Sequence, residues 1–262
     1  MAFLLNLTAL VVELALIAAI AWLGAYEPVF FAMAAAAVAL SSGLYLEYAR
    51  LSHEMPFYFG RKLSGLRAAI ARVWSTSEAI LKAALAGFVG LLTFSGTDQS
   101  RLEFQALLFA GCLLIGTTIL TRISSTWGRG AVRWGYFRLS LPLGILYSAG
   151  IYALGTSGLI ATTTVGGLAT DLVFNLAQSP DLRSASEFLF KLSQATDDLI
   201  GKLLAMFVPE AYVPAIQIVA STNVLPGFVL AVFSVGIARF IIAIQSLGSQ
   251  RDRPEPAPAP AS

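Results

Sequence analysis

Six apolar runs of a length suited to crossing a bilayer recur along the chain, at roughly residues 2–23, 29–46, 79–94, 104–121, 139–160 and 225–244. A hydrocarbon core about 30 Å thick needs about 20 mostly apolar residues of helix, so runs of this kind leave little choice of fold. No water reaches that core, so the peptide groups of each run must bond within the segment, and the runs are read as helices. Charged residues make up only 12% of the 262 and hydrophobic residues 57%, against about 25% charged in a soluble domain. The expectation is an all-α polytopic membrane protein with six transmembrane helices, interfacial amphipathic helices and a disordered Pro/Ala tail.

The charges outside the runs divide the chain. A first hairpin (1–46) is followed by a basic connector (47–78), a second hairpin (79–121), an Arg/Trp loop (122–138) and a fifth span (139–160). An extracytoplasmic segment (161–224), a sixth span (225–246) and the tail (247–262) complete it. The loop carries Arg122, Arg129, Arg133 and Arg138, interleaved with Trp127 and Trp134 and free of acidic residues. Arginine held by lipid phosphate and an amphipathic ring astride the boundary are what a membrane–water interface selects. In the connector Leu63, Leu66, Ile70, Val73 and Trp74 recur at helical spacing among basic residues, the pattern of a helix lying in the interface. Ser75 with Glu78 matches a capping box that would open the third span near Ala79.

Connector, loop and tail hold five, four and two Lys/Arg, while the intervening connections hold none, one and three, so the bias is eleven against four. Such a bias orients the basic side inward, with both termini cytoplasmic and the protein in the inner (plasma) membrane. The first run makes a poor signal peptide, having no basic n-region and Glu13 at its centre.

Small residues mark two packing ridges, Ala35/Ala39/Gly43 at four-residue spacing and Gly144/Ser148/Gly155 on one face, where backbones can approach closely in lipid. The first of these places the second helix centrally. In the outer segment Ser179-Pro180-Asp181 signals a helix start, and Ser184 with Glu187 a further capping box. Behind them Phe188, Leu192, Leu199 and Leu203 line one face, a stripe suited to docking a partner or the membrane surface. Pro226-Gly227 divides the apolar stretch 212–244 into two pieces or kinks one helix.

Dedicated chemistry is scarce. One histidine, His53, and one cysteine, Cys112, leave little for a metal or haem site. No phosphate-binding, dinucleotide, zinc-protease or nucleophile-elbow motif occurs. Adjacent helical residues point about 100° apart, so Asp197-Asp198 reads as a solvated pair and not a catalytic one. Lys82 reads as the start of a span. Three intramembrane polar residues remain: Glu13, Asn6 one heptad before it, and Arg239, whose long stem can carry its charge to the interface. The expectation is a non-enzymatic subunit or scaffold of a larger membrane assembly, with lipid and protein partners, no cofactor, no metal and no nucleic acid. The alternative is a small ion- or proton-coupled transporter or channel using Glu13.

Overall fold

The computed structural model describes residues 2–59, 65–127, 138–160 and 182–251; these are helical apart from short turns, and no strand occurs among them. The helices are α1 (Ala2–Tyr26), α2 (Pro28–Phe59), α3 (Leu66–Thr93), α4 (Gln99–Trp127), α5 (Ser140–Thr156), α6 (Leu182–Phe207), α7 (Val213–Ala220) and α8 (Pro226–Arg251). A single residue, Glu27, separates α1 from α2, and its carbonyl accepts from Phe31 N at 2.9 Å. Pro28 at the first helical position costs nothing there, because its missing N–H would be unsatisfied anyway.

Five stretches are long and apolar enough to cross a membrane: Asn6–Tyr26, Pro28–Ala49, Ala68–Thr93, Gln99–Ile123 and Thr222–Ser246. The protein is therefore an all-helical, membrane-embedded bundle. The expected fifth span appears as α5, only 17 residues, or roughly 25 Å at about 1.5 Å per residue, short of the hydrocarbon thickness.

The third helix departs from the sequence reading. It begins at Leu66 and not near Ala79, so Leu66, Ile70, Val73 and Trp74, expected in a separate interfacial helix, belong to the first turns of α3, while Leu63 lies outside the described residues. No proline or glycine interrupts Leu66–Ala86, and nothing breaks the helix. Ser75 caps nothing: its hydroxyl donates to Arg72 O at 2.9 Å within the helix. Lys82 consequently lies in the middle of a spanning helix and not at its end.

The axis of the bundle is α8, not α2. Of its spanning window 61% is buried, against 39% for α2 and 28% for α1, and Val229 to Val235 are buried without a break. A helix apolar on every side can bury every side, and α8 touches α1, α2, α3, α4 and α5. The α2 ridge serves a different purpose. Ala35 and Ala39 are fully buried, and a Cβ at Gly43 would sit 3.1 Å from Ala79 Cβ, so α2 lies close along α3. The second ridge brings α5 against α8: a Cβ at Gly144 would strike Val224 O, and one at Gly227 would strike Ser140 O. Phe31, Phe94, Phe109 and Phe233 interlock between these layers with ring centroids 4.8 to 5.5 Å apart.

The stretch 212–244 resolves into two pieces. α7 ends at Ala220, Ser221 turns extended, and a 3-10 turn over Thr222–Val224 leads into α8 at Pro226. Arg129, Arg133 and Trp134, residues 161–181 and the tail from 252 onward lie outside the described residues.

Candidate functional site

Polar side chains collect at two levels of the bundle. One level, called outer after the orientation expected from the Lys/Arg bias, begins at the turn between α3 and α4. Gly96 holds φ +105°, a conformation that L side chains rarely adopt, and a Cβ there would collide with the Arg101 guanidinium. Arg101 is 1% exposed. It donates to Ser95 O at 2.6 Å and lies 3.3 Å from the Phe190 ring centroid, stacked on an α6 side chain. Gly96 N donates to Ser186 Oγ at 2.9 Å, and Thr97 N and Oγ1 donate to Glu187 Oε2 at 2.9 and 3.0 Å. Glu187 therefore reaches across to the α3–α4 turn. Asp98 caps α4 by accepting from Ser100 Oγ and N at 2.8 and 3.1 Å. The Ser100 hydroxyl, then backbone N–H groups and the Arg101 charge, hold the Asp98 carboxyl below its ordinary range despite slight desolvation.

The second outer element overturns the reading of Asp197 as a solvated acid. Its Oδ1 accepts from Thr222 N at 2.8 Å and Thr222 Oγ1 at 3.0 Å, and its Oδ2 from Ser221 Oγ and Asn223 Nδ2, both at 2.7 Å. Asp198 points away to Lys202 at 2.7 Å. One carboxylate thus ties α6 to the turn that launches α8. Cavities flank this tie. One of about 310 Å³ lies against α5 and α7, with Asp197, Gln217 and Tyr152 in its wall. The other, about 230 Å³, runs between α6 and the outer ends of α3 and α4 and has Gln105 in its wall.

The inner level joins α2 to α3. Lys82 Nζ is paired with Glu47 and with Glu78, the latter at 2.7 Å, and the Lys82 and Glu47 side chains are 12% and 4% exposed. At the same end Arg72 lies 5.7 Å from the Tyr48 ring centroid. Arg239 of α8 lies 4.6 Å from that of Tyr45, so its charge rests on an aromatic face. Sequence reading missed Glu47 because it stands 35 residues from Lys82. A signal was present: two acids and a lysine flanking apolar runs can pair once the helices are antiparallel.

Of the intramembrane candidates, Glu13 is buried at 9% exposure, and its Oε1 has no hydrogen-bond partner among the described residues. Asn6 is exposed, and no hydrogen bond links it to Glu13. Residues seven apart share a face but stand about 10.5 Å from each other along the helix axis, so the heptad match did not make them neighbours. α1 packs chiefly against α4 and α8, so Glu13 points into the bundle on a helix that meets α2 less closely. Arg122 and Arg138 are exposed at the ends flanking the Arg/Trp loop, and Trp127 closes α4. The stripe Phe188, Leu192, Leu199 and Leu203 is exposed throughout, at 41% to 48%.

Among the described residues no three His, Cys, Asp or Glu side chains group so as to hold a metal ion. The outer level can bind and orient through uncharged hydroxyls and amides, and the inner level can hold or exchange charge. The chain matches no known family model, and no curated protein and no solved structure is similar to it.

Proposed function

We propose that the protein is a non-enzymatic integral membrane subunit or scaffold that docks partners of a larger membrane assembly on its outer helix. One observation carries this reading. α6 turns polar groups inward, through Ser186, Glu187, Ser193 and Asp197, and leaves its apolar stripe outward. Such an orientation is the reverse of a surface helix in water, and an exposed apolar stripe of this length calls for a covering surface. Mild-detergent pull-down of wild type beside the Leu192→Asp/Leu199→Asp variant tests it. A defined partner retained by wild type and lost from a folded variant is expected; equal recovery overturns docking.

The same reading includes six crossings with both termini cytoplasmic. Tyr26 OH donates to Glu103 at 3.0 Å, and Gly96 and Thr97 bond to Ser186 and Glu187, so the low-charge connections meet at one end. α4 leaves that end, and the chain is back there by Ser186. The return crossing therefore falls between Trp127 and Leu182, where α5 is the described helix. This supports α5 as the sixth membrane segment despite its length. The eleven-to-four excess of Lys/Arg supports the opposite end as cytoplasmic.

Buried Glu13, with one carboxylate oxygen unpartnered, favours a second reading, an ion- or proton-coupled transporter or channel. Flux through liposomes containing the purified, partner-free protein would favour it over the scaffold.

A further inference from the structure

The cavity of about 230 Å³ between α3, α4 and α6 has a rim and a floor of different chemistry. Its rim includes Phe88, Leu192 and Leu225, which are 53%, 42% and 47% exposed. Phe88 belongs to the spanning stretch Ala68–Thr93, near its outer end, so the mouth opens on lipid and not only on water. Toward the floor lie Thr93, Ser95 and Gln105, exposed by 4%, 2% and 6%. Thr93 and Ser95 donate their hydroxyls to Val89 O and Leu92 O and present only lone pairs to the cavity. Gln105 makes no hydrogen bond among the described residues, and its Oε1 is fully enclosed. A buried, unpartnered amide is costly, about 1–3 kcal/mol, and a cavity beside it gives a partner room to remove that cost. Among the described residues no ionisable side chain lines the cavity.

We propose that this cavity binds an uncharged, largely apolar molecule bearing a hydroxyl, drawn from the outer leaflet, with the Gln105 amide holding the hydroxyl. A hydroxyl both donates and accepts: it gives its one proton to Gln105 Oε1, or it accepts from Gln105 Nε2 and donates to a floor hydroxyl. The apolar body fills the space between Leu92, Leu189 and Leu225 and extends toward lipid through the mouth. A charged headgroup is disfavoured, because no counter-charge lines the wall and desolvation would go uncompensated. The inference rests on the orientation proposed above and not on docking: its floor lies beneath α6, and of the outer stripe only Leu192 reaches the rim.

The test is photolabelling of the full-length protein in phosphatidylcholine vesicles by a medium-chain alcohol carrying a diazirine, beside the same diazirine on the matching alkane. Labelled peptides are mapped by mass spectrometry. The alcohol should label Leu92, Leu189 or Leu225 and the alkane should not. Gln105→Leu, which keeps the volume, should reduce labelling roughly tenfold, as loss of one hydrogen bond implies. Leu225→Trp, placed at the rim, should block labelling without touching the amide, and serves if Gln105→Leu fails to fold. Competition by diacylglycerol identifies a lipid hydroxyl as occupant; competition by free alcohol alone identifies a small amphipath. Labelling that is absent, equal for alkane and alcohol, or unchanged in a folded Gln105→Leu protein overturns the proposal.

Discussion

The Asp197 carboxylate on α6 accepts a hydrogen bond from Thr222 N, 2.8 Å away, at the threshold of the most buried helix in the bundle. Through that bond and three others, an outer helix fixes the entry angle of α8. Asp197→Ala is expected to destabilise the protein by about 2–4 kcal/mol, since charge-assisted hydrogen bonds are lost and their donors stranded. Asp197→Asn should cost less but not nothing, because its NH₂ group would face the Asn223 NH₂ or the N–H of Thr222. Chemical unfolding in detergent, followed by circular dichroism, measures both.

Topology is open to a direct chemical check. With Cys112 replaced, single cysteines at Gln99 and Ser184 should react together with a membrane-impermeant thiol reagent in intact cells, while those at Ser64 and Ser125 should not. Labelling at Ser125 with protection at Gln99 would invert the orientation. Labelling of Gln99 without Ser184 would remove the crossing assigned to α5.

The inner ion cluster should respond unequally to its members. Lys82→Met removes the ammonium that lies between the Glu47 and Glu78 carboxylates, and a loss of about 3–5 kcal/mol is expected. Glu47→Gln keeps Lys82 paired with Glu78 and should cost about 1–2 kcal/mol. Equal losses in SDS-driven unfolding would show that Glu78 does not share the lysine.

Glu13 separates transport from structure. Glu13→Gln keeps the shape but removes the titrating proton; Glu13→Ala removes both. A coupling role predicts that both variants accumulate normally and lose flux. A structural role predicts that Gln is tolerated and Ala lowers folded yield, by an amount consistent with a void in a packed interior.

The Asp98 cap gives a pH dependence of known sign. Its folded-state pKa is held below the ordinary value, chiefly by the Ser100 hydroxyl, so its stabilisation is fully present above the unfolded-state pKa. It is lost as pH falls through the lowered folded value. Melting temperature should therefore decline at acidic pH in wild type, and Asp98→Asn, a good cap that does not titrate, should show a shallower decline.

The membrane bundle and its small-residue ridges were legible because each depends on one local stretch. Ala35 and Ala39 announce close packing from within a single helix, and both are fully buried. The start of α3 was not legible, since Ser75 and Glu78 mimic a cap and only the continuous helix shows the hydroxyl turned back on Arg72. The axial place of α8 was hidden for a related reason: an all-apolar run looks the same whether lipid or protein surrounds it. The Asp197 tie and the Lys82–Glu47 pair depend on partners 24 to 35 residues distant. Helical periodicity reports which face a residue occupies and is silent about what will come to meet it. The stripe on α6 was read from its period, and its exposure follows from polar anchors elsewhere on that helix.

The bonds from Gly96 and Thr97 to α6 join residues 90 positions apart, and the Asp197 tie waits for a turn synthesised later still. During biogenesis, then, α6 is made before its second anchor exists, with the α3–α4 turn already there to hold it. Its final pose is set when the last apolar helix enters the bilayer and brings Thr222 to Asp197. A chain truncated before residue 221 would display the same stripe on an unfastened helix, exposing it to membrane quality-control proteases. Completion of the last helix is thereby registered in the pose of one made before it.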